Sequence, residues 1–298
     1  MKAWLHAFRL RTLPLSLSGI LLGSTLAWYA GTFNWIIFLS CLVTATLLQV
    51  LSNLANDYGD FKKGTDNDER IGPTRALQSG AISAKQMMIG IIICSALTLL
   101  CGLLLLYSAF GSVNYLFIGF FALGLAAITA AIKYTMGKNP YGYSGYGDVF
   151  VFVFFGPVAV IGSFYLQTQQ FAFQTIFPSL TLGFFSTAVL NVNNIRDIES
   201  DTNAGKITRA VRLGKDQAVF YHGYLLAAGF INCFIYQIFT EFNLLNNLIV
   251  FCIPIAIKTF LGIKNANNSK LIDPYLKQTV LMTLLFTVLF CLGLLLQK

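Results

Sequence analysis

Two acidic segments carry the residue types from which chemistry could be built. The first is Asn56-Asp57-Tyr58-Gly59-Asp60, followed by Asp66 and Asp68; the second is Asn193-Asn194-Ile195-Arg196-Asp197, followed by Asp201. Each reads Asn-x-x-x-Asp with a further Asp downstream, and each follows directly on a long apolar run. Spacings of three and four put such side chains on one face of a helix. Carboxylates are costly at the edge of a membrane and need a reason to be there. These also fall at the C-terminal ends of their helices, where the macrodipole is already negative and an anion is poorly placed without a cation beside it. Two oxygen-rich clusters facing each other point to a divalent metal, and such a metal points to a phosphate-bearing substrate. Asn53 and Asp57 form an overlapping Asn-x-x-x-Asp one turn earlier, so spacing leaves the first register open between Asn53/Asp57 and Asn56/Asp60.

The elements that must position these segments are membrane helices. Of the 298 residues, 56% are hydrophobic and 11% charged, against roughly 25% charged in a soluble domain. A span needs about 20 apolar residues. Nine stretches qualify: 12–30, 34–56, 86–106, 113–132, 147–166, 173–195, 216–238, 243–262 and 276–296. A closed barrel would instead show short alternating segments. The expected architecture is an all-α polytopic helical bundle, a single integral-membrane domain over residues 1–298, with an active site at its cytoplasmic mouth. The amphipathic stretch Met1–Arg11 has no cleavage-site pattern and is not read as a signal peptide.

Charge sets the orientation. With the N-terminus inside, the N-terminal segment and the longer polar loops at 57–85, 133–146, 196–215 and 263–275, with their flanks, hold every one of the 20 Lys and Arg except Lys298. The positive-inside rule then puts the N-terminus in the cytoplasm and the C-terminus outside. The net charge of +8 is accounted for by this asymmetry and calls for no nucleic acid. All of the 12 acids but Glu241 share that side. Solvated loops carry mixed charge too, and membrane anchoring accounts for Lys62, Lys63, Arg209, Arg212 and Lys215. Neither explains the same acidic pattern at the ends of the second and sixth spans, both of which run inward.

Other chemistries lack their residues. The six cysteines lie in apolar runs without a Cys-x-x-Cys pair and read as small core residues. His6 and His222 do not form a catalytic pair. No nucleophile elbow, Gly-x-Gly-x-x-Gly or Walker loop is present, so no nucleotide cofactor is expected.

The segments NDYGDFKKGTDNDERIGPTRAL, NNIRDIESDTNAGKITRAVRLG and YGDVFVFVFFGPVAV resemble the UbiA-type intramembrane prenyltransferases. Within that superfamily they are most similar to the branch acting on 1,4-dihydroxy-2-naphthoate. Branches using 4-hydroxybenzoate typically carry Asn-Asp-x-x-Asp-x-x-x-Asp, whereas here Gly64 stands four residues after Asp60 and the next acid is Asp66. The resemblance implies transfer of a polyprenyl chain from polyprenyl diphosphate to the naphthoate ring, with loss of CO2 and diphosphate, in menaquinone synthesis. It also implies Mg2+ as cofactor and a bacterial inner membrane as location. By motif position, Asn56 and Asp60 are the first metal-binding pair and Asp197 and Asp201 the second, with Asp66 a weaker ligand; Asp60 and Asp197 carry the catalysis.

Arg9 matches a family Arg near the first span, although Leu10 follows it where relatives commonly have Pro. Arg70 matches the naphthoate branch. With Lys138 and Lys206 they are the expected diphosphate grips; anchoring is the competing reading for both lysines. Tyr141, Tyr143, Tyr146 and Asp148 cluster before the fifth span. Tyr141 and Tyr146 are candidates to hold the acceptor ring and Asp148 to act as an acceptor-side base. The Gly-rich stretch 137–147 is expected to act as a flexible lid. Competing readings are the same fold with another acceptor, such as 4-hydroxybenzoate or homogentisate, an ion-coupled transporter, and a membrane scaffold. Transporters place ionisable groups near the bilayer midplane, whereas these acids gather at one face.

Overall fold

The computed structural model describes residues 2–65, 74–240 and 243–297. Asp66, Asp68 and Arg70 lie outside the described residues. Among the described residues every regular element is helical, and nine helices are long and apolar enough to cross a membrane. The chain is a multi-pass membrane protein. A short α1 (Lys2–Phe8) precedes α2 (Leu13–Tyr29), α3 (Trp35–Lys63), α4 (Ala84–Phe110) and α5 (Tyr115–Lys133). The fifth span is α6 (Gly147–Val153), continued through a π-helical turn at Phe154–Val158 into α7 (Ala159–Thr168). Then come α8 (Ile176–Arg196), the short α9 (Ile198–Asn203) and α10 (Arg209–Leu213), and finally α11 (Lys215–Ile238), α12 (Ile253–Asn265) and α13 (Asp273–Leu295).

The second span departs from the sequence expectation in a way that matters for chemistry. The apolar run ends near residue 56, but α3 continues to Lys63. Lys62 and Lys63 in its last turn complement the negative helix end. Gly64, at φ 73°, stops it in the left-handed conformation that glycine adopts at little cost. The first acidic motif is therefore held on a rigid helix and not in a loop. The π turn has a local cause as well: Pro157 cannot donate the regular helical hydrogen bond, and the helix widens around it.

Small residues bring the spans together, as they must where lipid supplies no hydrophobic drive between helices. A Cβ on Gly23 would overlap Val160 O, so that glycine lets α2 pack directly on α7. The larger core joins α2 and α7 to α8, α11 and α13 through Leu22, Phe164, Phe185 and Phe286. A second core joins α1 to α3 and α4 through Ala7, Leu51, Leu54 and Met87. α3 packs mainly on α4 and α8 on α11, so the span carrying each motif leans on the span that follows it. α1 and both motifs lie at one end of the bundle. The C-terminal end of α13 lies at the other, where Tyr29 Oη donates to Gln297 Oε1 at 3.4 Å.

Candidate active site

A cavity of about 940 Å³ opens between the ends of α3 and α8. α3 contributes Asn53, Asn56 and Asp60 to its wall; α8, α9 and the turn beyond contribute Asn193, Asp197, Asp201 and Lys206. The structure thus brings the first pair and the second pair to one cavity.

The two registers of the first motif point different ways. Asp57, 1% exposed, is ion-paired with Arg9 and with Arg75, whose Nε lies 3.5 Å from Oδ1. Asn53 Nδ2 donates to Phe8 O at 2.9 Å and to Thr12 Oγ1 at 3.0 Å. Both residues tie α3 to the N-terminal turn. Arg9 makes that turn in a left-handed conformation, φ 49°, which costs a non-glycine residue on the order of 1–3 kcal/mol and is held by the buried pair with Asp57. Asn56 and Asp60 turn toward the rest of the cavity. Asn56 Oδ1 accepts from Thr135 Oγ1 at 3.4 Å, and Asp60 accepts from Tyr143 Oη at 2.8 Å. Burial, and then the Asp60 carboxylate, push the Tyr143 phenol up, so it stays protonated and donates.

The second motif is organised by a residue inside it. Arg196, 2% exposed, donates from Nε to Asp197 Oδ1 and from Nη2 to Asp197 Oδ2, both at 2.7 Å. It also donates to Asn193 Oδ1 at 2.9 Å and, across to α13, to Asp273 Oδ1 at 2.6 Å. A bidentate fork of this kind fixes the carboxylate plane and still leaves Asp197 lone pairs for other partners. One turn on, Lys206 Nζ lies 3.3 Å from Asp201 Oδ1. Burial opposes the Lys206 charge, but Asp60 and Asp201 outweigh it and its pKa stands above the ordinary value.

The oxygen donors fit a hard divalent ion. Asp201 Oδ2 is buried and has no hydrogen-bond partner among the described residues. Burial raises the Asp201 pKa to about 6, with Lys206 pulling it down and the Asp197 and Asp60 carboxylates pushing it up. Among the described residues, no three His, Cys, Asp or Glu side chains form a ready-made ion cage. Mg2+ takes one or two carboxylates and fills its shell with waters and substrate phosphates, and Asp60, Asp197 and Asp201 all line this cavity. Basic residues share the cavity with these acids: Arg9, Arg75, Arg196 and Lys206 all line it.

Other expected site residues are placed differently. Tyr141 lines the cavity, and its ring stacks on Phe150 with centroids 3.9 Å apart. Lys138 is exposed and Tyr146 is 59% exposed, and neither lines the cavity. Asp148 is buried but turns from the cavity to α11, where it is hydrogen-bonded to Tyr221. The stretch 137–147 is tied down by backbone hydrogen bonds, Gly142 N donating to Tyr134 O at 2.9 Å and Ile207 N to Tyr143 O at 3.1 Å, and only its Tyr141 lines the cavity. Sequence reasoning missed Tyr134, which lines the cavity beside Asp60 and Lys206 and whose pKa burial pushes up to about 12. It also gave no role to Arg75, Arg196 or Asp273. Arg75 and Asp273 meet their partners across the fold, and the carboxylate that Arg196 grips is its neighbour in the chain, where no helical spacing marks a pair.

A family model described as the UbiA prenyltransferase family matches residues 16–272. The chain belongs to the UbiA prenyltransferase family. It is 43% identical to the 1,4-dihydroxy-2-naphthoate octaprenyltransferase of Haemophilus influenzae, over 99% of this chain and 96% of that protein. It is 42% identical to the Escherichia coli protein of the same name, over 100% of this chain and 96% of that protein. Among solved structures, a UbiA homolog from Aeropyrum pernix K1 matches with a TM-score of 0.70 at 13% identity, covering 96% of this chain and 97% of that one. A UbiA homolog from Archaeoglobus fulgidus bound to DMAPP and Mg2+ matches with a TM-score of 0.61 at 17% identity, covering 97% of this chain and 99% of that one. The transporter alternative finds no support in these matches.

In this UbiA-family chain the cavity turns apolar away from the acids. It runs between α4 and α5 on one side and α6–α7 on the other, past Leu103, Phe121, Gly124 and Phe154. At its far end Phe120 stacks on Tyr165 with centroids 5.6 Å apart. There Gln167 also clamps the α2–α3 connection, accepting from Asn34 N at 2.7 Å and donating to Asn34 O at 3.1 Å. The two lysines expected as phosphate grips should therefore part company. Lys206→Ala should lower prenyl transfer roughly a hundredfold, the usual loss for one charge-stabilising donor, whereas Lys138→Ala should leave turnover near the wild-type rate. Steady-state rates of the two purified variants decide it; equal losses would contradict the placement.

Proposed function

We propose that this chain transfers a polyprenyl group from polyprenyl diphosphate to 1,4-dihydroxy-2-naphthoate, releasing diphosphate and CO2, as a step of menaquinone synthesis. The observation that carries it is the joining of two acidic motifs and several basic side chains at the polar mouth of an apolar channel. Identity above 40% to two naphthoate octaprenyltransferases, over nearly the whole chain, supports this acceptor class.

Each end of the cavity has its task. The apolar channel takes the tail, and the polar mouth takes the diphosphate. Lys206 and Arg196, with Arg9 and Arg75 at the N-terminal turn, would hold the diphosphate oxygens and stabilise charge building there as the allylic C–O bond breaks. Asn56, Asp60, Asp197 and Asp201 would hold Mg2+. When bound, Mg2+ neutralises the phosphate oxygens and so makes diphosphate a better leaving group. Tyr134, Tyr141 and Phe150 form an aromatic wall next to the mouth, where their faces favour a cationic allyl group and exclude water from it. The electron-rich ring attacks that group, and the ring carboxylate leaves as CO2. The mouth faces the cytoplasm of a bacterial inner membrane, with α1 on the same side and the end of α13 outside.

The test is prenyl transfer by purified enzyme offered 1,4-dihydroxy-2-naphthoate, 4-hydroxybenzoate or homogentisate with one polyprenyl diphosphate. Product and CO2 should form with the naphthoate far faster than product forms with the others. Equal or faster turnover of another acceptor would overturn the assignment.

A further inference from the structure

A second concave site lies on the lipid-facing side of the other half of the molecule. It is a groove of about 750 Å³ between α12 and α13, and it shares no lining residue with the prenyl-transfer cavity. Its sides are apolar and face outward: Ile257 is 53% exposed, Leu261 46% and Leu271 51%. Three polar side chains break that surface, Lys258 and Asn265 from α12 and Tyr275 from α13. Lys258 and Asn265 are seven residues apart and so lie on one face of α12. Gly262 stands between them. A Cβ there would overlap the Tyr275 ring, so the glycine lets that ring lie across α12 as the floor of the groove.

Lys258 is the residue in need of an explanation. It is exposed in a membrane-spanning helix, where an ammonium is costly without a partner. Among the described residues no carboxylate is ion-paired with it. Lys258 lies four residues before the end of the apolar run at 262, a rise of about 6 Å, so its ammonium reaches the headgroup level by running along the groove. An ammonium at that level meets the phosphates of the lipid headgroups, and an anion carrying apolar chains suits the groove walls. At the rim Lys215 Nζ donates to Ala266 O, adding a second positive charge on the side from which a headgroup would enter.

We propose that this groove binds an anionic phospholipid from the leaflet on the side of the acidic motifs. Its phosphate sits between Lys258, Asn265 and Tyr275, and its acyl chains lie along Ile257 and Leu261. The full chain is reconstituted in nanodiscs of equimolar phosphatidylglycerol and phosphatidylcholine, and native mass spectrometry reads the lipid retained on the protein. Phosphatidylglycerol should be enriched roughly fivefold, the preference that one well-placed basic side chain confers. Lys258→Gln should remove that enrichment and Lys258→Arg should keep it. Lys264→Gln, on the same helix but outside the groove, should leave it unchanged. Added inorganic phosphate should not displace the lipid, since it lacks the chains. Equal retention of the two lipids by the unaltered protein, unchanged enrichment in Lys258→Gln, or displacement by inorganic phosphate would each overturn the proposal. The readout does not involve prenyl transfer, so it stands or falls apart from the proposed activity.

Discussion

Replacing Asp60 or Asp197 with asparagine should each lower prenyl transfer by on the order of a hundredfold or more, the loss typical of removing one charge-stabilising group from a preorganised site. Both side chains line the mouth of the cavity, one from each half of the chain. The two variants should differ in stability. The amide oxygen that Asp60→Asn introduces would still accept a hydrogen bond from Tyr143, whose hydroxyl lies 2.8 Å from the Asp60 carboxylate, so this variant should melt near the wild-type Tm. Asp197→Asn would break a bidentate pair with Arg196, a side chain 2% exposed. Hydrogen bonds to charged groups contribute about 1.5–3 kcal/mol, so this second variant should melt earlier. Rates per folded molecule, with thermal melting in the same detergent, separate the two effects. A near-normal rate for either folded variant would remove that carboxylate from the site.

Chelation should have the other large effect. EDTA should abolish turnover and Mg2+ should restore it, because the donors at the mouth are carboxylate and amide oxygens, with neither thiol nor imidazole among the described residues there, a set that suits hard cations. The buried Asp201 oxygen, without a partner among the described residues, and the repulsion of Asp201 by Asp197 and Asp60 give the same expectation from electrostatics. Each asparagine variant should also need more Mg2+ for half-maximal rate than the wild type. Full turnover in a chelated preparation would reject the metal reading outright.

Much of this was legible in the sequence because membrane helices announce themselves. Length and apolar composition marked nine spans, and the structure has nine such helices among the described residues. The paired acidic motifs were legible through spacing, since three and four residues along a helix mean one face. What the sequence could not show was direction around the helix. Asp57 and Asp60 differ by three residues, yet one turns to Arg9 and Arg75 and the other to Tyr143 and Lys206. Only tertiary partners decide that. Arg196 was hidden for a similar reason. It is adjacent to Asp197 in the chain, where helical spacing predicts no contact, and the second carboxylate it holds, Asp273, begins a helix far along the sequence. Lys138 and Lys206 looked equivalent as basic loop residues. The structure separates them because the turn after α9 folds back over Asp201 while the loop at Lys138 points into solvent.

If the two motifs serve one diphosphate centre, the double variant carrying Asp60→Asn and Asp197→Asn shows it most directly. Prenyl transfer to 1,4-dihydroxy-2-naphthoate is measured for the wild type, both single variants and the double variant, each corrected for its folded fraction. Groups that act as a unit fail together, so the double variant should be little slower than the slower single variant. Losses that multiply, to about ten-thousandfold if each single loss is a hundredfold, would mean that Asp60 and Asp197 act independently and that the two halves of the chain do not share a site.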